Sequence, residues 1–295
     1  MFKGSITALI TPLKNGEIDE QSFQDFVEWQ IKEGSQGLVP CGTTGESPTL
    51  THEEHERVID LCIEVAKKRV PVIAGTGSNS TDEAIRLTEY AKNAGADAAL
   101  VVTPYYNKPT QDGLYNHFKA INDNCDIPII IYNIPGRSVV DIDIETMKKL
   151  SNLKNIIGVK DSSNDLTRPL TTKENIKKKF CQISGEDATV LPFLSQGGDG
   201  CISVTANIVP KKCAELHTAW QKGKLKKVQS INKLLFPLHN ALFLETSPGP
   251  VKYAASLLNI CSEELRLPLV KISSKTKNEI KLILKRLRIK PIKRK

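Results

Sequence analysis

Nowhere in this chain do apolar residues run for the ~20 positions that a membrane-crossing helix needs, so no membrane association is expected. No G-x-G-x-x-G follows the first strand-like segment, which removes support for a dinucleotide-binding fold, and there is no phosphate-cradling P-loop. The seven cysteines (Cys41, Cys62, Cys125, Cys181, Cys201, Cys213 and Cys261) include no C-x-x-C pair. An odd, dispersed set in apolar surroundings fits reduced core thiols better than disulfides or a zinc site. Met1-Phe2-Lys3-Gly4-Ser5 lacks the layout of a signal peptide, and with the cysteine usage this gives a cytoplasmic expectation. Aromatic residues make up only 5%, and none interrupts the basic run from Lys285 to Lys295. Without stacking faces that run fits a solvated terminus better than a nucleic-acid or anionic-surface tail, although it carries much of the +8 net charge.

What is present is an ordinary globular composition, 40% hydrophobic and 25% charged over 295 residues. Short β-branched runs alternate with segments of helical period. Ser5 to Ile10 reads as a first strand. In 20–32, Phe23, Phe26, Val27 and Ile31 recur at helical spacing, and Gly34 stops the helix. Further strands are expected at 37–41, 70–74, 98–102, 127–132, 156–161, 180–184 and 201–204. Helices are expected near 51–68, 81–94, 111–122, 143–150, 166–179 and 189–196. Past 204 only helices follow, near 210–221, 224–244, 249–258 and 274–286. Eight strand–helix units of about thirty residues, each crossing over to a parallel neighbour, predict a (β/α)8 barrel with a C-terminal all-helical extension. The expected boundary divides a catalytic barrel, 1–224, from a helical region with a basic tail, 225–295. A doubly wound open sheet is the other arrangement this pattern allows.

The most informative strand is Ile156-Ile157-Gly158-Val159-Lys160-Asp161. Alternation puts Ile156, Gly158 and Lys160 on one face and Ile157, Val159 and Asp161 on the other, so Lys160 need not pair with its neighbour Asp161. An amine among apolar side chains tends to lose its proton, and a neutral amine attacks carbonyls. Taken alone, a lysine at a strand end equally fits a side chain that snorkels to solvent.

In a (β/α)8 barrel the active site lies at the carboxyl ends of the strands. Those ends offer Thr11, Gly42-Thr43-Thr44-Gly45-Glu46, Gly75-Thr76-Gly77, Tyr105-Tyr106, Tyr132 to Arg137, Lys160, Gly185 and Ser203-Val204-Thr205. The set holds no histidine, carboxylate cluster or cysteine pair, so neither a metal nor a cofactor is expected. A lysine among hydroxyls suits imine chemistry. Tyr132, ending the neighbouring strand, suits the proton transfers, and Arg137 suits a carboxylate.

Gly42-Thr43-Thr44-Gly45-Glu46, Tyr132-Asn133-Ile134-Pro135-Gly136-Arg137 and Gly158-Val159-Lys160-Asp161 together resemble the signatures of the dihydrodipicolinate synthase / N-acetylneuraminate lyase family. The resemblance extends through Val102 to Pro109, Gly197 to Val204 and Pro250-Val251-Lys252, covering nearly the whole chain. It implies that Lys160 forms a Schiff base with pyruvate and that Tyr132 moves the protons, in a relay through Thr43 to Tyr106 of a neighbouring subunit. Thr44 and the backbone of Ile202 would hold the pyruvate carboxylate, Gly185 would lie in the substrate site, and Arg137 would hold the carboxylate of aspartate-4-semialdehyde. It further implies a tetramer built as a dimer of dimers, and inhibition by L-lysine bound at Ser47, Pro48, His52, His55, Asn79, Glu83 and Tyr105. A sugar-acid lyase or dehydratase of the same family, or a catalytically silent barrel, are the alternatives. Arg137 and the Thr43-Thr44 pair with Tyr106 favour a short amino-dicarboxylic substrate, and the presence of Lys160, Tyr132 and Arg137 disfavours the silent barrel. Ser247 departs from the family's common Asn-Pro form, and the basic run after Leu284 has no counterpart in the pattern.

Overall fold

The computed structural model describes residues 2–292, so the last three residues of the basic run lie outside the described residues. Eight strands form one sheet: β1 (Gly4–Ala8), β2 (Gly37–Val39), β3 (Ile73–Gly75), β4 (Ala98–Val102), β5 (Ile129–Asn133), β6 (Ile156–Asp161), β7 (Cys181–Ser184) and β8 (Gly200–Ser203). Their order is β2-β1-β8-β7-β6-β5-β4-β3. The β2-β1 pair and the ladders from β8 through to β3 are parallel. From β3 to β8, and again for β1 and β2, strands consecutive in sequence are neighbours in the sheet, with helices between them, which is the (β/α)8 plan.

The chain divides into two compact units. The first is Pro71–Ile202 with the residues before Gly4. Its core is a layer in which Ala99, Val101, Ile129, Ile131, Ile156 and Val159 from the strands meet Leu114, Phe118, Ile121, Met147 and Leu150 from helices Gln111–Asn124 and Ile144–Ser151. Ile156 belongs to this layer with Val159, which corrects the expectation that it shares a face with Lys160. The cause is a register shift between Ile129 and Ile130: Ile129 pairs with Ile156, but Ile130 already pairs with Gly158, so Ile157 is the extra residue of a bulge.

The second unit joins Gly4–Val70 to the chain from Ser203 onward. Helix Glu20–Lys32 starts at Asp19, whose carboxylate accepts Ser22 N–H at 3.1 Å, and it buries Phe23, Phe26 and Val27. Helix His52–Ala66 opens on a capping box between Thr51 and Glu54. The C-terminal helices are Pro210–Gln221, Leu225–Ala241, Gly249–Leu257 and Ser274–Arg286. A feature absent from the sequence reading is a small antiparallel ribbon, Leu13–Lys14 with Glu17–Ile18. Its turn, Asn15-Gly16, has positive φ at both residues (56° and 85°), as a two-residue hairpin requires.

Among the described residues no helix is long and apolar enough to cross a membrane. All seven cysteines are buried. Burial pushes the thiols of Cys41 and Cys62 far up, and that of Cys181 up to about 12.

Candidate active site

Lys160 is the fifth residue of β6 and only 6% exposed. Its Cα is in register with Tyr132 of β5 and Ile183 of β7. Two parallel strands in that register bring side chains of one face together, and Lys160 Nζ lies 3.7 Å from the centroid of the Tyr132 ring. Asp161 points the other way, as alternation requires. It accepts from Asn133 Nδ2 (3.3 Å), Arg168 Nη1 (3.5 Å) and Ser163 Oγ (2.6 Å). The lysine therefore has an aromatic ring as its neighbour while the adjacent carboxylate is occupied elsewhere.

The β7 loop closes over this lysine. A Cβ on Gly185 would meet Ser162 Oγ at 1.9 Å and Lys160 Cε at 3.0 Å, so a side chain there would push aside the Ser162 hydroxyl and crowd the lysine. The next residue, Glu186, escaped the sequence reading. Burial raises its carboxyl above the usual range; Ser162 and Lys160 oppose the shift, and Asp187 and Asp161 add to it. A carboxylate after a strand-end glycine was the available signal. Ile202 is buried in β8.

Arg137 is exposed, on a short helical turn, Pro135–Ser138. Buried polar groups tie down both ends of that segment. Ser138 Oγ donates to Ile134 O and accepts from Thr103 Oγ1, each at 2.9 Å. Asn133 donates to Asp141 Oδ1 (2.8 Å) and accepts Ile142 N–H (3.1 Å), and Arg168 Nη2 holds Asp141 Oδ2 at 2.6 Å.

In the second unit the Gly42-to-Glu46 motif forms a tight 3-10 turn, Thr43–Gly45. Gly45 N–H donates to Gly42 O (3.0 Å) and Thr11 Oγ1 to Gly45 O (2.7 Å). Thr44 is buried and Thr43 half-buried. Glu46 adopts the left-handed conformation (φ 57°) and opens a second 3-10 turn, Ser47–Thr49. Its carboxylate is 2.6 Å from Lys252 Nζ, and both side chains are essentially inaccessible, at 1% and 0%. The sequence reading quoted both residues within motifs but did not pair them. A lysine inside the apolar helix Gly249–Leu257 was the signal, since a charge so placed needs a partner.

The residues expected to bind L-lysine fall on both units. In the second, Ser47 is half-buried, Pro48 and His52 are exposed, and His55 is buried on the inner side of helix His52–Ala66. In the first, Asn79 Nδ2 donates to Tyr105 O (3.2 Å), and Ser78 Oγ donates to Glu83. Burial raises the Tyr105 phenol, Glu83 adds to the shift, and Ser78 opposes it. Tyr106 is 89% exposed at φ 75°, a left-handed conformation that leaves its ring in solvent.

A buried lysine against a tyrosine ring at the carboxyl end of a parallel strand is an arrangement suited to the imine chemistry of (β/α)8 lyases. The chain belongs to the dihydrodipicolinate synthetase family, whose model matches residues 1–287. A 4-hydroxy-tetrahydrodipicolinate synthase of Rhodospirillum centenum is 65% identical over 284 residues, covering 96% of this chain and 98% of that protein. Among solved structures, dihydrodipicolinate synthase of Aquifex aeolicus superposes with a TM-score of 0.96 at 46% identity, over 99% of this chain and 100% of its own. The chloride-inhibited Acinetobacter baumannii enzyme, complexed with pyruvate, gives 0.95 at 44% over 98% and 100%. The Cyanidioschyzon merolae enzyme with lysine bound gives 0.94 at 34% over 98% and 99%.

Proposed function

We propose that the chain carries out the 4-hydroxy-tetrahydrodipicolinate synthase reaction of lysine and diaminopimelate biosynthesis, and that its residues divide the work as follows. The Lys160 amine adds to the pyruvate ketone, and loss of water gives the imine. The imine withdraws electrons from the pyruvate methyl group, which loses a proton and becomes the enamine carbon. That carbon attacks the aldehyde of aspartate-4-semialdehyde, whose oxygen takes a proton to become the hydroxyl. The semialdehyde's own amine then adds to the imine carbon, closing the ring and expelling the Lys160 amine.

Tyr132 supplies and removes the protons, relayed through Thr43 and Tyr106 of a neighbouring subunit in a tetramer. Thr44 and the backbone of Ile202 hold the pyruvate carboxylate, with Gly185 giving the room. Arg137 binds the semialdehyde carboxylate, a task that suits an exposed guanidinium on an anchored turn. L-lysine, the end product, binds Ser47, Pro48, His52, His55, Asn79, Glu83 and Tyr105 and inhibits the cytoplasmic enzyme. The Glu83 carboxylate beside a half-buried phenol suits an ammonium.

The observation that carries this reading is Lys160 Nζ at 3.7 Å from the Tyr132 ring, in a site that leaves the adjacent carboxylate engaged elsewhere. Borohydride reduction in the presence of pyruvate, followed by peptide mass spectrometry, tests it. The expected result is one reduced pyruvate adduct, on Lys160, that disappears in Lys160→Arg. An adduct on another lysine, or none, overturns it.

A further inference from the structure

We infer that Glu46, clasped by Lys252, is a positioning residue for the Thr43–Thr44 turn, and that this buried ion pair sets the geometry with which the turn receives the pyruvate carboxylate. The inference rests on the roles given above to the two threonines.

Lys252 is fully buried in a helix of otherwise apolar and small residues. An ion pair in such a place is a poor device for stability, because a neutral pair of similar volume is commonly as good or better, while removing one partner alone is strongly destabilising. What an ion pair adds is direction. The Glu46 carboxylate is held on both oxygens: Lys252 Nζ lies 2.6 Å from Oε1, and Arg266 N–H donates to Oε2 at 3.1 Å. The backbone of the same residue does two further jobs. Its N–H closes the Thr43–Gly45 turn on Thr43 O (3.2 Å), and its carbonyl accepts from Thr49 N–H and Thr49 Oγ1, each at 3.0 Å. At φ 57° Glu46 holds a conformation uncommon for a non-glycine residue, and the clasp on its side chain favours it there. Arg266 extends the clasp, holding Thr49 O at 2.9 Å and both Glu54 oxygens at 2.5 Å. Glu46 is thus the joint between the turn bearing Thr43 and Thr44 and the turn bearing Ser47 and Pro48.

The test compares Glu46→Gln, Lys252→Met and the double variant with the full-length wild type. Lys252→Met alone is expected to lower the melting temperature, and the double variant to regain much of it. If Glu46 only stabilises, the double variant recovers activity along with its melting temperature. If it positions, kcat/KM for pyruvate stays at least ~10-fold down in the double variant and in Glu46→Gln, while KM for aspartate-4-semialdehyde stays within about twofold, because the Arg137 turn hangs on a separate network. Pyruvate kinetics within twofold of wild type in the folded double variant overturn the inference. So do wild-type pyruvate kinetics in Glu46→Gln, which is nearly isosteric and is assayed well below its own melting temperature. A wild type that gives no pyruvate adduct on Lys160 is a separate failure, that of the functional reading itself.

Discussion

The Tyr132 ring lies against Lys160 Nζ, and the two roles separate cleanly at the residue scale. Tyr132→Phe keeps the ring and removes the hydroxyl. It is expected to cut kcat by about 10²–10⁴-fold while pyruvate is still trapped on Lys160 by borohydride. Loss of trapping would make the tyrosine part of imine formation instead. A second residue bears on acid tolerance. His117 is buried beside Phe118, with Nδ1 3.0 Å from Thr81 Oγ1, and burial lowers its pKa to about 4. Its unfolded value is near 6.5, so between those limits the unfolded chain binds the extra proton. The stability this group contributes is complete above pH 6.5 and fades as pH falls towards 4, by up to about 3 kcal/mol. His117→Phe should flatten that part of the urea-midpoint profile against pH; an unchanged slope would assign it to the carboxylates. At this scale the sequence was most legible. Lys160, Tyr132 and Gly185 stood at strand ends, and the alternation separating Lys160 from Asp161 held. Glu186 and the Glu46–Lys252 pair were not legible, because desolvation and pairing across 206 positions are three-dimensional quantities.

At the scale of elements, the segment after β5 is a strap fixed at both ends. Asn133 is fully buried and serves Asp141, Asp161 and Ile142 N–H together. Asn133→Ala leaves several of these groups short of a partner, at about 1–3 kcal/mol for each one orphaned. Because Arg137 rides on the strap, KM for aspartate-4-semialdehyde should rise several-fold while borohydride trapping of pyruvate is kept. Equal losses in both would mean that the whole site has shifted. Helix positions and the parallel strands followed from periodicity and caps. The bulge at Ile157 did not, since a run of β-branched residues looks the same with or without one extra member. The turn at Pro135–Ser138 was hidden because it is a single turn, closed by Ser138 N–H on Ile134 O (2.9 Å) and Val139 N–H on Pro135 O (3.0 Å), too short to show a helical period in the sequence.

At the scale of the whole molecule, the exposed Tyr106 is the residue that the proposed relay takes from a neighbouring subunit. If it completes the relay of a second subunit, activity per chain should fall as the protein is diluted through its dissociation range. Sedimentation and assays over one concentration series would show this. Activity that stays constant through dissociation would leave the relay within one chain. The barrel plan was legible from eight repeats of one pattern. The division into two units was not, for it depends on which distant segments touch. That division has a consequence for synthesis. Gly4–Val70 completes its unit only with the chain from Ser203 onward, whereas Pro71–Ile202 is one continuous stretch. On a ribosome adding about 5–20 residues per second, the opening segment waits roughly 7 to 26 s for its other half to begin to emerge. During that interval Phe23, Phe26, Leu38 and Val39, all inaccessible once folded, have no finished core to enter. Gly4–Val70 is made before Pro71–Ile202 and is expected to finish folding after it, open in the interval to whatever chaperone guards the nascent chain.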